Sequence, residues 1–304
     1  MGGMRVNPNL YLETLDSLEL TRQAEDTALQ EVSTGKKVNT PSDDPAAAAA
    51  NVGVQYEMAA DDQYTQSISS ISGALDTADT TLNSVVNLIS QGLSYGTEGG
   101  NSDLSQSNRD VLAQQIQDVE SQIVTLGNTT YQGNYIFAGT ATSTQPFVQD
   151  LADPTTVTYV GNSETNTAQI SSGQSVQTNL PGNQILAGTA PNTNVFNALQ
   201  QLSQAVQTGG DVTTAMANLQ TAYQYVTAQR VFYGNTENQL QSTESFLSSD
   251  QVQLSTQQNT LIGIDMSQAV TNLAQAETAR EAALTAGGQI GQTSLLDYLP
   301  TPSS

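Results

Sequence analysis

The residue types that most often do chemistry in enzymes are scarce in this chain. None of its 304 residues is histidine or cysteine. This removes imidazole bases, thiolate nucleophiles, disulfides and nearly every transition-metal site. The remaining candidates for catalysis are carboxylates, tyrosines and two lysines. We therefore predict no catalytic residues, no bound metal and no cofactor.

One short motif has residues suited to covalent catalysis. Ser33-Thr34-Gly35-Lys36 spells the Ser-x-x-Lys of penicillin-recognising enzymes, but the Ser-Asp-Asn and Lys-Thr-Gly motifs that accompany it there are missing. A helix C-terminus explains the same residues, with Gly35 just beyond the helix and Lys36 and Lys37 near its carbonyl end. We favour this structural explanation.

Two pairs of carboxylates might be taken for the acid and base of a glycoside hydrolase. The pairs are Asp43-Asp44 and Asp61-Asp62. Neighbours in sequence do not face each other across a sugar, and Asp44 before Pro45 is a typical N-cap followed by an N1 proline. The pairs therefore predict structural roles.

The charge of the chain excludes several kinds of partner. It carries 29 acidic and 7 basic residues, a formal net charge of −22 and a pI of about 4.1. Such a chain is repelled by phosphate backbones, so we expect neither nucleic acid nor an anionic membrane as a partner. Met1–Arg5 does not resemble the start of a signal peptide, and Ala46–Ala50 is too short to span a bilayer.

Apolar residues alternate at spacings of four and three, which is typical of helices that pack like coiled coils. The clearest runs are Tyr64–Ile89, Leu112–Leu126 and Val195–Val206. The longest is Val212–Leu261, whose second heptad position turns polar after Tyr223. That position holds Arg230, Glu237, Glu244, Gln251 and Gln258. One of the two heptad positions in this helix is therefore predicted to be exposed to solvent or to pair with charged groups.

Capping residues and glycines predict where the first long helix and the next one begin and end. The long helix is expected over Pro45–Gln91, about 70 Å at 1.5 Å per residue. The next is expected to be capped by Asn101 or Ser102 and to stop near Gly127. The glycines expected to end the long helix are Gly92, Gly96, Gly99 and Gly100.

A second long helix is predicted to begin at Asp211 and to reach Leu261, about 76 Å away. After Gly263, Asp265 and Gln268 form a predicted capping box at the start of a final helix. Two rods of matched length predict an elongated, mainly α bundle with coiled-coil-like packing.

Between Phe137 and Ala190 the heptads stop and short β-type runs appear, separated by turn formers. We predict a small β-rich domain inserted between the helices, with Tyr131 and Tyr135 in its base or core rather than in a ligand cage. The predicted strands are Tyr135–Ala138, Thr155–Val160, Ser175–Leu180 and Ile185–Ala187.

Both ends of the chain carry thin apolar stripes. Each terminal helix is too weak to stand as an isolated helix in water, so each needs the other or neighbouring copies of the chain. A plain monomeric core is the usual explanation of such stripes, and an assembly role is the alternative that we favour. The predicted assembly interface comprises Leu15, Leu18, Leu29, Val32, Leu273, Leu284, Ile290, Leu295, Leu296 and Leu299.

Several segments resemble the flagellin superfamily and, within it, the hook–filament junction proteins. Ser33–Ala46 is similar to the superfamily's Ser-Gly-Lys-Arg-Ile-Asn-x-Pro-Ser-Asp-Asp-Pro-Ala segment, and Tyr233–Leu240 to its Gly-Ala-x-Gln-Asn-x-Leu stretch. Gly133–Thr140, followed by Gln145–Phe147, resembles the junction proteins' entry into their β-domain. Ser294–Leu299 is the sharpest pointer to the junction proteins. The resemblance covers the chain apart from about 149–191.

The resemblance implies a non-enzymatic, structural axial subunit that joins hook to filament outside the cell. It implies export in an unfolded state through the flagellar type III apparatus, with the terminal helices folding on assembly. The implied partners are the first hook-associated protein, flagellin, copies of the chain itself in a ring, and a cytoplasmic export chaperone that binds the C-terminal helix.

With the periodicity, the resemblance predicts three regions. They are a terminal assembly region (1–43 plus 263–304), a long-helix rod (44–134 plus 192–262) and an outward-facing β-rich domain (135–191). Flagellin itself, a filament subunit with the same helical body, is the nearest alternative. A surface hydrolase working through carboxylates and a secreted effector or adhesin using the β-insert are the alternatives from other classes.

Overall fold

The structure, a computed structural model, describes residues 9–150 and 156–296, with side chains described for 12–150 and 156–289. The helices are α1 (Asn9–Thr34), α2 (Pro45–Gly99), α3 (Gln106–Gly127), α4 (Gly182–Ile185), α5 (Val195–Thr208), α6 (Val212–Ile262) and α7 (Met266–Leu296). The strands are β1 (Thr130–Tyr131), β2 (Asn134–Tyr135), β3 (Phe147–Gln149), β4 (Val157–Tyr159), β5 (Thr167–Ser171) and β6 (Gln174–Gln177). The predicted class, mainly α with a small β region in the middle, is confirmed. Within the described residues, no helix has an apolar stretch long enough to cross a membrane.

The chain divides into two compact units. Unit 1 contains residues 1–60 and 250–304, so it brings together both ends of the chain. Unit 2 contains residues 61–249. Helices α2 and α6 contribute residues to both units. The three-part division by role, with boundaries at 43, 134, 191 and 262, stays a prediction.

Unit 2 has a continuous apolar core built from the heptad positions of four helices. In α2, at most 1% of the surface of Leu75, Leu82 or Ile89 is exposed. They belong to one cluster with residues of α3, α5 and α6. Among these are Ile116, Ile123, Leu199, Leu202, Leu219, Val226 and Tyr233. The periodicity therefore predicted the core of this unit correctly.

Helix α2 ends at Gly99, so Gly99 and Gly100 mark its end as expected, but it continues through Gly92 and Gly96, which were also expected to end it. Three of them lie against apolar side chains of α5: Gly92 against Leu199, Gly96 against Leu202 and Gly99 against Val206. A Cβ at Gly99 would lie only 2.6 Å from a Val206 methyl group. Gly92 and Gly96 do not break the helix, because the close packing against α5 requires residues without side chains and outweighs their low helix propensity.

Capping by aspartate occurs where the sequence predicted it for the two long helices. The backbone N–H groups of Ala46 and Ala47 donate to Asp44 Oδ1, each at 3.0 Å, at the start of α2. Asp211 accepts from the N–H of Thr214 at 3.0 Å and from its hydroxyl at 2.6 Å. These bonds lower the pKa of Asp211.

Two other predicted caps need correction. At α7, Asp265 accepts from the N–H groups of Ser267 and Gln268, but the Gln268 amide donates forward to Asn272 instead of returning to the cap. Only half of the capping box therefore forms. Helix α3 is capped by Ser105, which accepts from the N–H of Asn108, and not by Asn101 or Ser102. The chain bends first through a turn in which Asp103 N–H donates to the Asn101 side chain.

The polar heptad position of α6 pairs with polar groups of α2, as predicted. The Arg230 guanidinium binds both carboxylate oxygens of Asp79, each at 2.8 Å. The Ser72 hydroxyl donates to Glu237 at 3.0 Å. Burial raises the pKa of Glu237, and the nearby Asp76 carboxylate adds to this shift. The hydrogen bonds between Arg230 and Asp79 also raise the pKa of Arg230.

The β region consists of three separate two-stranded antiparallel sheets, β1–β2, β3–β4 and β5–β6, in its described part. The predicted Tyr135–Ala138 strand is confined to Asn134–Tyr135. Beyond it the Phe137 carbonyl accepts from the backbone N–H of Gly182 and not from the backbone of a strand. The predicted Ile185–Ala187 strand is wrong, because Ile185 belongs to the short helix α4.

The other strand expectations were right in place but not in extent. Strand β4 covers Val157–Tyr159, and β6 covers Gln174–Gln177 instead of Ser175–Leu180. Strands β3 and β5, their hairpin partners, were not predicted. Phe137 is fully buried, whereas Tyr131 and Tyr135 are half-buried. Burial raises the pKa of Tyr159 to about 12, and its hydroxyl donates to the Phe137 carbonyl.

The glycine contacts predict opposite effects for one substitution at two helical sites of unit 2. Gly99→Ala is expected to lower the free energy of unfolding by about 1–3 kcal/mol, because its methyl group overlaps Val206. Gly234→Ala, whose Cβ would have nothing within 4 Å, is the matched control. It is expected to raise that free energy by about 0.5–1 kcal/mol. Urea unfolding followed by circular dichroism measures both. Equal effects of the two substitutions would contradict the packing role of Gly99.

Candidate assembly interface

Helices α1 and α7, from opposite ends of the chain, pack against each other in unit 1. A Cβ at Gly287 would lie 3.5 Å from the Thr14 methyl group, so the two backbones approach closely there. Further along, Arg280 binds Glu25. The contact further along α1 involves a residue nearer the start of α7, so the two helices are antiparallel.

Small side chains line the contact between these helices. On α1 the residues nearest α7 form an inner row with heptad spacing: Thr14, Leu18, Thr21, Glu25, Ala28 and Val32. On α7 the corresponding row is Ala269, Leu273, Ala276, Arg280, Ala283 and Gly287. Among the described side chains of both helices, only Ala28 and Ala269 are buried. The pair therefore removes little apolar surface from water.

A second row on α1 faces solvent. This outer row also has heptad spacing and comprises Leu12, Leu15, Glu19, Arg22, Asp26 and Leu29, all exposed. Leu12 is 60% exposed and Leu29 is 54% exposed. Both rows fit the same alternation of three and four residues, so the spacing alone did not distinguish them. The predicted stripe combined one position from each row.

The structure separates the predicted interface residues into two groups. Leu18, Val32 and Leu273 are half-buried in the inner rows, whereas Leu15, Leu29 and Leu284 are exposed. The side chains of Ile290, Leu295 and Leu296, and the whole of Leu299, lie outside the described residues. The placement of these residues does not test whether they take part in assembly, so their assembly role stays a prediction.

Four further apolar side chains of α1 and α7 are exposed and were missing from the predicted interface: Leu12, Leu20, Met266 and Val270. Leu12 and Leu20 do not fit the spacing of the predicted stripe. The sequence could have indicated them, because large apolar residues that lie outside the packing stripe of a helix are candidates for contact with a partner.

One charge pair ties α1 to α7. Arg280 Nη1 donates to both carboxylate oxygens of Glu25, each at 2.8 Å. These bonds raise the pKa of Arg280. The pair occupies a central position of both inner rows, where an apolar residue would otherwise pack. It contributes orientation more than stability, because Arg280 remains accessible to solvent.

The connector between α1 and α2 is fixed to the end of α6. Gly35 has a φ of 69°, the left-handed conformation that glycine adopts beyond a helix end. The N–H of Lys37 donates to the Ile262 carbonyl at 2.8 Å, and its Nζ to the Thr260 carbonyl at 3.3 Å. The Ser-x-x-Lys motif is therefore a helix C-terminus, as expected. Lys37 caps the end of α6 rather than that of α1.

The carboxylates considered for catalysis in this connector have structural partners. Asp43 accepts hydrogen bonds from the N–H groups of Asn39 and Thr40 and from the Thr40 hydroxyl. These bonds lower the pKa of Asp43. Asp44 caps α2, as described above. Both residues therefore fix the turn that leads into α2.

An apolar groove opens between α1 and α7. Its volume is about 240 Å³, and Leu15, Leu18 and Leu284 line it together with Ala283, Gly287 and Gly288. None of the described residues that line it carries a charge. The groove can accept an apolar side chain of another helix, which is the contact that a coiled-coil-like assembly requires.

Comparison with known proteins gives matches along most of the chain. The family model for the bacterial flagellin N-terminal helical region matches residues 7–142, and that for the bacterial flagellin C-terminal helical region matches residues 216–299. Flagellar hook-associated protein 3 of Escherichia coli is 30% identical over 278 residues, which cover 83% of this chain and 86% of that protein. The protein of the same name from Salmonella typhimurium is 31% identical over 62% of this chain and 59% of its own length.

Solved structures resemble the fold as well. The crystal structure of flagellar hook-associated protein 3 from Legionella pneumophila superposes with a TM-score of 0.62 at 13% identity. The match covers 68% of this chain and 98% of that one. At this identity the likeness concerns the fold alone.

The outer row of α1 and the inner row of α7 are expected to respond differently to substitution in the monomer. Leu29→Gln in the outer row is expected to change the free energy of unfolding by no more than about 0.5 kcal/mol, because the side chain is already exposed. Ala269→Gln in the inner row, the comparison variant, is expected to cost about 1–3 kcal/mol through overpacking. Hydrogen exchange of the α1 and α7 amides measures both effects. If Leu29→Gln is as damaging as Ala269→Gln, the outer row belongs to a monomeric core.

Proposed function

Because the chain belongs to the family of flagellar hook-associated protein 3, we propose that it is a structural subunit of the bacterial flagellum that joins hook to filament. In this role it acts by assembly and not by catalysis. Its proposed location is the hook–filament junction outside the cell. The carboxylates that might have served a hydrolase, Asp43 and Asp44, are engaged in turn and helix-cap hydrogen bonds instead.

The observation that carries this proposal is the packing of α1 against α7. The pair joins both ends of the chain through small side chains and leaves large apolar ones in solvent. A fully buried leucine contributes about 1.5–3 kcal/mol relative to an exposed one. Leu15, Leu29 and Leu284 forgo about half of this in the monomer, and neighbouring subunits can supply it. The proposed mechanism is therefore folding of the ends coupled to assembly.

The proposal includes passage through the flagellar export apparatus in an unfolded state. The chain has no cysteine, so no disulfide can form in transit or during refolding outside the cell. A cytoplasmic export chaperone that binds the C-terminal helix would cover apolar residues such as Met266, Val270 and Leu284, which are about half-exposed.

The proposed partners after export are the first hook-associated protein on one side, flagellin on the other, and copies of the chain itself in a ring. The terminal region would provide these contacts and the rod would support them. The β-rich region at 135–191 would face outward. A net charge of −22 keeps single copies apart in dilute solution, which favours ordered addition to a growing structure over aggregation.

Flagellin is the second candidate function, because both matching family models describe flagellin regions. Addition of the purified chain to short filament seeds distinguishes the two. A flagellin elongates the seeds without limit, whereas a junction subunit adds at most a short terminal layer. The name and coverage of the E. coli relative favour the junction subunit.

Removal of the gene from its bacterium tests the proposal directly. We expect cells that retain hooks, lose filaments and release filament monomer into the medium, because the surface on which filament grows is missing. Electron microscopy of cells and immunoblotting of the medium measure this, and a plasmid copy of the gene provides the control. Normal filaments in the deletion strain would contradict the proposal.

A further inference from the structure

Two connections between helices of unit 1 are hydrogen-bonded to each other. One leads from α1 to α2 and the other from α6 to α7, and they meet in an antiparallel β-bridge. The N–H of Lys37 donates to the Ile262 carbonyl at 2.8 Å. In return, the N–H of Ile264 donates to the Gly35 carbonyl at 3.3 Å. The bridge therefore joins three helix termini, which are the end of α1, the end of α6 and the start of α7.

One side of this bridge belongs to a segment with hydrogen bonds of its own. We call this segment, residues 35–44, the strap. The Asn39 amide donates to the Lys36 carbonyl at 2.8 Å, and the N–H of Asn39 donates to Asp43 at 2.9 Å. Asp44 then caps α2. Because these bonds hold the strap in one conformation, a movement of α1 is passed on to the bridge instead of being absorbed by a slack loop.

The other side of the bridge is the short connection between α6 and α7, residues 263–265. A Cβ at Gly263 would overlap the carbonyl oxygen of Asn259, so the backbone turns too closely there for any other residue type. Asp265 accepts from the N–H of Ser267 in the first turn of α7. This tight turn keeps the end of α6 and the start of α7 together at the bridge.

A side chain of the strap also reaches the last turn of α6. Lys37 Nζ donates to the Thr260 carbonyl at 3.3 Å. The carbonyl groups of a last turn have no partners within their helix, and the helix dipole favours a cation beside them. Lys36 carries the same charge and is equally exposed, but its described hydrogen bonds are made by its backbone. The two adjacent lysines therefore differ in what their side chains contact.

We infer that the strap makes the α1–α7 pair and the last turns of α6 one cooperative unit, which opens and closes as a whole. The α1–α7 pair buries little apolar surface, so it opens more easily than the core of unit 2. When it opens, the bridge is lost, and the last turn of α6 loses the donors that satisfy its carbonyl groups. Any partner that orders α1 and α7 thereby also orders the end of α6. The inference concerns a single subunit, so it holds or fails independently of the junction role.

Hydrogen–deuterium exchange of the full chain, resolved by proteolysis and mass spectrometry, tests the coupling. Arg280→Glu places a second carboxylate beside Glu25 and so loosens the α1–α7 pair. Position 280 lies 16 residues beyond Ile264, about 24 Å along α7, so the variant does not touch the bridge. We expect exchange to become about three- to tenfold faster in α1 and α7 and, by a similar factor, in the strap and in residues 256–262. Residues 82–89 of the unit 2 core are the internal reference and are expected to be unchanged.

The matched control for this variant is Arg22→Glu. It makes the same change of charge on the exposed side of α1, where Arg22 pairs with Asp26 of its own helix and not with α7. It is expected to leave the exchange of the strap and of residues 256–262 unchanged.

A second pair of variants tests the coupling in the opposite direction. Lys37→Met removes the side-chain contact between the strap and the Thr260 carbonyl. We expect exchange to become about two- to fivefold faster in residues 256–262 and, by a similar factor, in α1 and α7. Lys36→Met, the matched control, removes the same charge from the neighbouring residue and is expected to leave the exchange of these segments unchanged.

Each possible result bears on the inference. Faster exchange of α1 and α7 in Arg280→Glu, with unchanged exchange of residues 256–262, would overturn the coupling. If Arg280→Glu leaves α1 and α7 unchanged, the lysine variants decide: no effect of Lys37→Met, or an equal effect of Lys36→Met, would overturn the role of the strap. If α1 and α7 lack protection in the natural chain, the strap and residues 256–262 must lack it as well, and protection there would contradict the inference. The junction role is tested separately, by deletion of the gene.

Discussion

The close approach of α1 and α7 determines what unit 1 can do. Thr14, Ala28 and Ala269 occupy positions where most helix pairs bury leucine or valine, so the helices meet with little apolar surface between them. The leucines of α1 that would ordinarily fill such a seam lie one position away, in the outer row. Half of the apolar surface of Leu15 and Leu29 thus remains available. A helix pair of this kind would gain further apolar burial from a neighbour that covered it, and this is the physical basis of the proposed coupling between folding of the chain ends and assembly.

Unit 2 uses small residues for the opposite purpose. Gly92, Gly96 and Gly99 of α2 also allow a close helix approach, but the facing helix α5 contributes Leu199, Leu202 and Val206, which are all fully buried. Small residues opposite large ones make an interdigitated core, whereas small residues opposite small ones in unit 1 leave the large ones outside. Unit 2 can therefore be stable in a single subunit, and the difference between the units lies in the partner row, not in the helix-forming tendency of either segment.

The sequence predicted what depends on local periodicity and motifs, and missed what depends on the facing element. Heptad spacing and aspartate caps predicted the long helices. The sequence motifs predicted the family, which the E. coli relative confirms. Gly92 and Gly96 were misjudged because a glycine that ends a helix and one that admits a neighbour look alike until Leu199 is placed opposite. In the β region, α4 was mistaken for a strand because Ile185 and Leu186 are apolar in either conformation. Leu15 and Leu18 fit one stripe by spacing, and only the position of α7 separates them.

If the subunit is exported unfolded, as proposed, it must recover the register of its long helices from its own sequence. Apolar heptads alone specify this poorly, because a slip of seven residues places leucine against leucine again. The bidentate Arg230–Asp79 pair and the Ser72–Glu237 hydrogen bond remove that ambiguity, because a slip of seven residues would separate Arg230 from Asp79 and Glu237 from Ser72. Such pairs add little net stability when partly exposed, but they penalise wrong alignments strongly. The polar half of the α6 seam, which weakens packing, is therefore consistent with a requirement for correct refolding at the site of assembly.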